Sequence, residues 1–426
     1  MSELHIINGH VIDPHQGLDE VTDLVIKNGR IKAIGKQKKS ASRTQKIDAS
    51  GKWVVPGLID MHVHLREPGR EDKETIASGS TAAAAGGFTA LACMANTNPV
   101  NDNQTVTRFI QEKSTSANCR IYPVAAISRN LEGKELTEMA DLIRAGAVAF
   151  SDDGVTVRNA ALLRRAFEYI QMFDKCIIEH CEDTDLSMDG VMHEGGVSAR
   201  LGLPEIPGLA EDVIIQRDIQ LAEYTGGKLH IAHVSTRRSV ELIRDAKKRN
   251  ISVTAEVTPH HLFLTDEAVE SFDTNTKMKP PLRSESDRLA LLEGLLDGTI
   301  DCIASDHAPH TQQEKDVEYT LAPNGIIGLE TSLSLVLTRL YHTKKLTLDR
   351  LVEVMSSNPA RILGVTGGNL KQNAPADVTI IDPEKFWIVD PAHFFSKSRN
   401  TPFTGWSLRG AAVVTVVGGT VKYSSL

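Results

Sequence analysis

Eight short apolar runs, spaced along the middle of the chain, constrain its fold more than any other feature. They read VVPGLIDMH, FTALACM, RIYPVAAIS, AVAFSD, CIIEH, LHIAHVS, ISVTAEV and IDCIASD. Each has the length and apolar character of a buried strand. Most of the intervals carry an amphipathic helical pattern, as in KETIASGSTAAAA, ALLRRAFEYIQMF and RSVELIRDAKK. Eight strand–helix units in roughly 300 residues predict an α/β chain built as a (β/α)8 TIM-type barrel. A doubly wound sheet would alternate too. No G-x-G-x-x-G follows the first strand, which weakens a dinucleotide-binding reading.

The two ends of the chain look different from its middle and like each other. LHIINGHVID, TDLVIKNGRIKAIG and KIDASGKWVVPG at one end, and ADVTIIDP, FWIV and GAAVVTVVGGTVKY at the other, are β-branched runs punctuated by turn residues. They predict a small composite β domain, residues 1–55 with 365–426, beside a catalytic barrel over residues 56–364. Before the second β segment, KKLTLDRLVEVMSSNPARILG has helical apolar spacing and reads as a barrel-closing helix with Asn-Pro as its stop.

Composition excludes several classes. A formal charge of −8 argues against a nucleic-acid partner. No stretch approaches the length of a membrane-spanning helix, and MSELHIINGHVIDPHQG lacks the basic and apolar regions of a signal peptide. Cys93, Cys119, Cys176, Cys181 and Cys302 are odd in number, scattered and without C-x-x-C spacing. They read as reduced, mostly buried thiols of a soluble cytoplasmic protein.

Chemistry in a barrel gathers at the C-terminal ends of the strands. The first strand ends in DMHVHLREP, where His62 and His64 share a face by strand period, with Arg66 on that face if the strand continues. The fourth ends in Asp152 and Asp153, the fifth in His180, the sixth in His233 and the eighth in Asp306. Any one histidine is more often structural. Four imidazoles and two or three carboxylates at one mouth are too many for a single tetrahedral ion, and suit two divalent ions bridged by a carboxylate and a hydroxide. His260 and His261, beyond the seventh strand, read as supporting or structural. His230 lies opposite His233 by strand period and is expected to face the helix layer. Asp60 shares the face of His62 and His64.

These motifs resemble those of dihydroorotases, within the amidohydrolase superfamily. DMHVHLREP and ASDHAPHTQQEK are similar to the family's two signature segments, and MANTNP, EVTPHHL and KMKPPLR follow its order between about residues 50 and 330. The likeness is greatest to the longer bacterial type, which has an aspartate where hydantoinases carry a carboxylated lysine. The resemblance implies two zinc ions per chain. His62, His64, Asp153 and Asp306 would hold one; Asp153, His180 and His233 would hold the other, with Asp153 bridging. It further implies Asp306 as catalytic acid–base. Arg66, Asn96 and His310 would grip the substrate carboxylate with His64 nearby, and Lys279, Asn324 and Gly325 would complete the substrate site.

Two positions depart from the pattern. Lys279 stands where the family has asparagine in K-x-N-P-P-L-R, and Asn324 where it has an aromatic residue. The implied activity is reversible cyclisation of N-carbamoyl-L-aspartate to (S)-dihydroorotate, in pyrimidine synthesis. A homo-oligomer is implied, with association to aspartate carbamoyltransferase a further expectation. The competing readings are an allantoinase- or hydantoinase-like cyclic amidase, and a non-catalytic scaffold for that carbamoyltransferase. The first expects a lysine that AFSDDG does not offer; the second expects lost ligands, whereas all six positions are filled.

Overall fold

Gly57 divides the first apolar run between two sheets. In the computed structural model, which describes residues 3–36 and 45–426, Trp53–Pro56 joins a sheet made from the chain ends, and Leu58–Val63 opens a barrel. A Cβ on Gly57 would lie 2.1 Å from Thr89 Oγ1, so only glycine lets the chain pass this close to the next strand.

The barrel strands are Leu58–Val63, Phe88–Cys93, Arg120–Ala125, Ala149–Phe150, Cys176–Glu179, Lys228–Ile231, Val253–Val257 and Cys302–Ile303. They pair in sequence order and in parallel. A parallel bridge between Val63 and His307 joins the last unit to the first. Asp60 reinforces that seam, accepting the Ser305 N–H at 3.1 Å and the His62 N–H at 3.2 Å. The (β/α)8 barrel expected from the sequence is therefore present.

Inside it, Met61, Ala92, Val124, Ile178 and Cys302 form one apolar cluster. Outside, Ile76–Ala85, Ala160–Ile170 and Arg237–Lys248 are among the covering helices. Each starts on a side-chain cap: Thr75 accepts from Ser78 N–H, Asn159 from Ala161 and Leu162, and Thr236 from Ser239. Their inner faces, such as Leu163, Phe167 and Ile170, pack with Ile177 and Ile215 in the larger core. No helix among the described residues is long and apolar enough to cross a membrane.

The sheet from the termini runs Thr420–Ser424, Ser407–Val417, Val378–Ile388, Trp53–Pro56, Glu3–Asp13, Leu18–Lys27 and Arg30–Ile34, with Gln45–Asp48 paired to Glu3–Asp13. Ile6, Leu24, Val54, Val378 and Val414 build its core. The loop between Val378–Ile388 and Ser407–Val417 returns to the barrel, where it becomes relevant to the site.

Asn-Pro does not stop the closing helix. Leu348–Val352 continues through a wide π segment, Glu353–Ser357, directly into Asn358–Leu363. The widened turn accommodates a proline that lacks an N–H and would crowd a normal α turn. The stop is Gly364 at φ 64°, whose N–H caps Ala360 and Arg361 carbonyls. Ala360 packs on Ile59 and Ala90, so this segment does close one end of the barrel.

All five cysteines are buried and free. Burial pushes the Cys93 thiol up to about 12 and the Cys176 thiol to about 11. Titration with a disulfide reagent is expected to find essentially no reactive thiol in the native protein and all five after denaturation. Rapid native labelling of one or more would contradict this packing.

Candidate active site

The first barrel strand delivers His62 and His64 to one place, their ring centroids 5.4 Å apart. Asp153 stands between them and a second pair. Its carboxylate lies 3.3 Å from His62 Nε2 and 3.5 Å from His64 Nε2 on one side. On the other it lies 3.6 Å from His233 Nε2 and 3.9 Å from His180 Nδ1. Asp306 Oδ1 approaches His64 Nε2 at 3.1 Å and His62 Nε2 at 3.6 Å. One donor atom from each of His62, His64 and Asp153, and from each of Asp153, His180 and His233, falls within 4.8 Å of the others. All six residues are buried.

The hydrogen bonds around the cluster orient its lone pairs. A carboxylate only accepts, so His62 Nδ1–H donates to Glu256 Oε1 at 2.6 Å, and His180 Nε2–H to Glu182 Oε2 at 3.3 Å. His64 Nδ1 meets Asn96 Oδ1 at 2.9 Å. In each ring the other nitrogen is left facing the centre. His62 Nε2 and Asp153 Oδ1 are buried and make no hydrogen bond within the protein. Converging nitrogen and carboxylate donors, three of the four rings fixed from behind by an acceptor, fit divalent cations.

The local field points the same way. Burial works against a charged His62 ring, yet Asp153 and Glu256 outweigh it and hold its pKa well above the usual histidine range. Burial would likewise raise both central carboxyls. The His62 imidazole beside Asp153, and the His64 imidazole beside Asp306, outweigh it and hold both well below the usual carboxylate range. A place that favours a proton so strongly favours a metal cation for the same reason.

Glu256 was not singled out in the sequence, and His230 is placed differently from expectation. His230 faces the barrel interior, not the helices: its Nε2 donates to Glu256 Oε2 at 3.2 Å and its Nδ1 meets Thr254 Oγ1 at 2.8 Å. Strand parity fails because the sixth strand ends at Ile231, and His233 sits at φ 31°, which turns its side chain back to the mouth. Glu256 thus bridges two imidazoles, which pull its carboxyl down to about 2 against the effect of burial.

Asp152 belongs to the loop, not to the cluster. It accepts the Ile127 and Ser128 N–H groups at 2.8 and 3.0 Å, and the Ser128 hydroxyl. His261 is structural, held between Thr258 Oγ1 and the Pro280 carbonyl. His260 is buried nearby with an Nε2 that makes no hydrogen bond.

Above the cluster opens a cavity of about 340 Å³, within the range of small-molecule sites. Arg66, Asn96, Lys279, His310, Asn324 and Gly325 line it, together with His64, Asp153, His180, His233 and Asp306. Arg66 arrives there by a route other than strand period. The strand ends at Val63, and a φ of 61° at Arg66 redirects the side chain. Its Nε donates to the Pro309 carbonyl at 3.2 Å, and burial lowers its pKa to about 10, leaving it charged at neutral pH. His310 donates Nε2–H to the Asn324 carbonyl at 2.8 Å and receives Lys73 Nζ on Nδ1 at 3.2 Å. Burial, then Arg66 and Lys73, push its pKa down to about 3, so the ring is neutral. Lys279 turns to the mouth, with Nζ 3.0 Å from Glu182 Oε1. Glu182, another residue not singled out in the sequence, therefore joins Lys279 to His180.

Residues 51–239 match a family model described as dihydro-orotase-like. A dihydroorotase of Syntrophus aciditrophicus is 55% identical over 417 residues, covering 97% of this chain and 98% of that one. A dihydroorotase of Pelotomaculum thermopropionicum is 56% identical over 419 residues, covering 98% of each. Among solved structures, the L-hydantoinase of Arthrobacter aurescens superposes with a TM-score of 0.88 at 28% identity, over 100% of this chain and 96% of that one. A D-hydantoinase at 22% identity and a TM-score of 0.87 shares the fold. Identity above one half across nearly the whole length, on a barrel with these residues at its mouth, places the chain in the dihydroorotase family.

Proposed function

We propose that this chain interconverts N-carbamoyl-L-aspartate and (S)-dihydroorotate, a step of pyrimidine synthesis, using two zinc ions held at the barrel mouth. The observation that carries the reading is Asp153, set between two groups of imidazoles beneath a cavity that also contains a charged Arg66. His62, His64, Asp153 and Asp306 would hold one ion, and Asp153, His180 and His233 the other. When bound, the ions supply Lewis-acid polarisation and lower the pKa of water toward about 7.

The remaining work falls to the protein. Arg66 pairs with the substrate carboxylate, and Asn96 and His310 flank it. The Asn324–Gly325 backbone bounds the ring. Asp306 removes a proton from the attacking water and returns it to the departing ring nitrogen; in the cyclising direction the same transfers run backwards. Lys279 is tethered to Glu182, and in this reading bears on the substrate through its charge. The open form carries two carboxylates and the ring one, so closure consumes a proton. Each unit fall in pH then favours the ring by about tenfold.

A hydantoinase-like activity is the second reading, favoured by the 28% identity to an L-hydantoinase. The ring of a hydantoin lacks the carboxylate that would satisfy Arg66. A cytoplasmic homo-oligomer, able to associate with aspartate carbamoyltransferase, completes the proposal.

Elemental analysis of gently purified protein is expected to find about two divalent ions per chain, with activity lost to strong chelators and restored by zinc. Protein without metal, and activity that survives chelation, would overturn the proposal.

A further inference from the structure

Asn400 belongs to the loop between two strands of the terminal sheet, yet its side chain ends beneath the substrate cavity. It is 4% exposed. Its Nδ2 donates to the Ala308 carbonyl at 3.1 Å and the Gly325 carbonyl at 3.0 Å, and its Oδ1 accepts the His310 N–H at 3.1 Å. Its own carbonyl accepts the Ile327 N–H at 2.9 Å. Two of these bonds grip Ala308 and His310, the neighbours of Pro309. Pro309 is the residue whose carbonyl accepts from Arg66 Nε.

The loop carrying Asn400 is itself fixed to the barrel. A Glu330 carboxylate accepts the Phe395 and Ser396 N–H groups at 3.0 and 3.1 Å. Ser398 Oγ donates to the Lys73 carbonyl at 2.8 Å, and Lys73 Nζ reaches His310. A buried primary amide with both ends engaged has one low-energy orientation, and its donors and acceptor are not interchangeable. The arrangement is a rigid clamp.

We infer that Asn400 is a positioning residue for recognition of the substrate carboxylate, acting by locking the Pro309 peptide that orients Arg66. The inference rests on the reading of Arg66 as the carboxylate's partner. It extends the substrate site to the C-terminal segment, which touches no reacting atom.

The test is a double-mutant cycle with Asn400→Ala and Arg66→Met, measured in steady state on dihydroorotate, with metal content and thermal stability followed in parallel. Asn400→Ala is expected to raise KM on the order of tenfold, the scale of one lost buried hydrogen-bond partner, and to lower kcat by less than that. In the Arg66→Met background the same substitution should add little, because the group it orients is gone. Metal content should stay at the wild-type level. Asn400→Ser, which keeps a hydroxyl for one of the bonds, should fall between wild type and alanine, and serves if the alanine variant does not fold. Multiplicative losses in the two backgrounds would mean that Asn400 acts on KM through Gly325 or His310 and not through Arg66, and a lower melting temperature with unchanged KM would make it merely structural; either result overturns the inference. An Arg66→Met enzyme with wild-type KM would instead sink the carboxylate reading, which separates the two failures.

Discussion

Asp306→Asn is expected to keep most of its metal and to lose turnover by on the order of 10²–10⁴, the scale of a general acid–base residue. The substitution is nearly isosteric. Asp306 sits at φ 47°, a conformation that asparagine tolerates well, so the backbone should not move. The metal should stay because Asp153, His62 and His64 remain within reach of one another. What disappears is a carboxylate able to take a proton 3.1 Å from His64 Nε2, at the floor of the cavity. The loss should be equal in the cyclising and hydrolytic directions, since one group serves both by microscopic reversibility. Kinetics in both directions, paired with elemental analysis, check the expectation. Turnover near wild type in either direction would move the acid–base role elsewhere. A variant that loses turnover and metal together would make Asp306 chiefly a ligand.

The parts of the site that were legible in the sequence are those that depend on where a strand ends. In a parallel barrel every strand finishes at the same mouth, so His62, His64, His180, His233 and Asp306 could be assembled without any knowledge of contacts. Side-chain direction was not legible to the same degree. The fourth strand, Ala149–Phe150, is two residues long and gives no phase from which to choose Asp153 over Asp152. Positive φ at Arg66, His233 and Asp306 breaks the alternation that strand arguments rely on, and it misplaced His230.

Glu256 hid for a related reason. It is an inward carboxylate in an apolar run, and its meaning comes from two imidazoles on other strands. Asn400 lay further out of reach. It stands 90 residues beyond His310, in a loop of the other sheet, and only the folded chain shows that its amide fits between Ala308 and Gly325. The Asn-Pro stop failed because a π turn, invisible in the spacing, carries the helix past Pro359. Short-range pattern located the cluster of imidazoles and carboxylates; the residues that hold it in place come from long-range packing.

Arg66→Met is expected to separate substrates by their carboxylate. The guanidinium is partly buried, charged and at the wall of the cavity, with its Nε already engaged by Pro309. Methionine keeps much of the apolar stem and removes the charge and the planar fork. If Arg66 pairs with the dihydroorotate carboxylate, removing it strands that anion in a desolvated pocket. Truncating one member of such a pair costs roughly 2–5 kcal/mol, or about 30-fold to about 5,000-fold in kcat/KM.

Dihydrouracil, the same ring without the carboxylate, should be hydrolysed at much the same rate, however slow, by both enzymes. Arg66→Lys should fall between, because a lysine restores charge and not the bidentate geometry. The same comparison decides between the two readings of function. A hydantoinase-like enzyme would show no preference to lose, whereas a dihydroorotase loses it almost entirely through this one side chain. Equal losses on both rings would assign Arg66 to the fold or to the metal cluster, and the cavity would then need another anchor for its substrate.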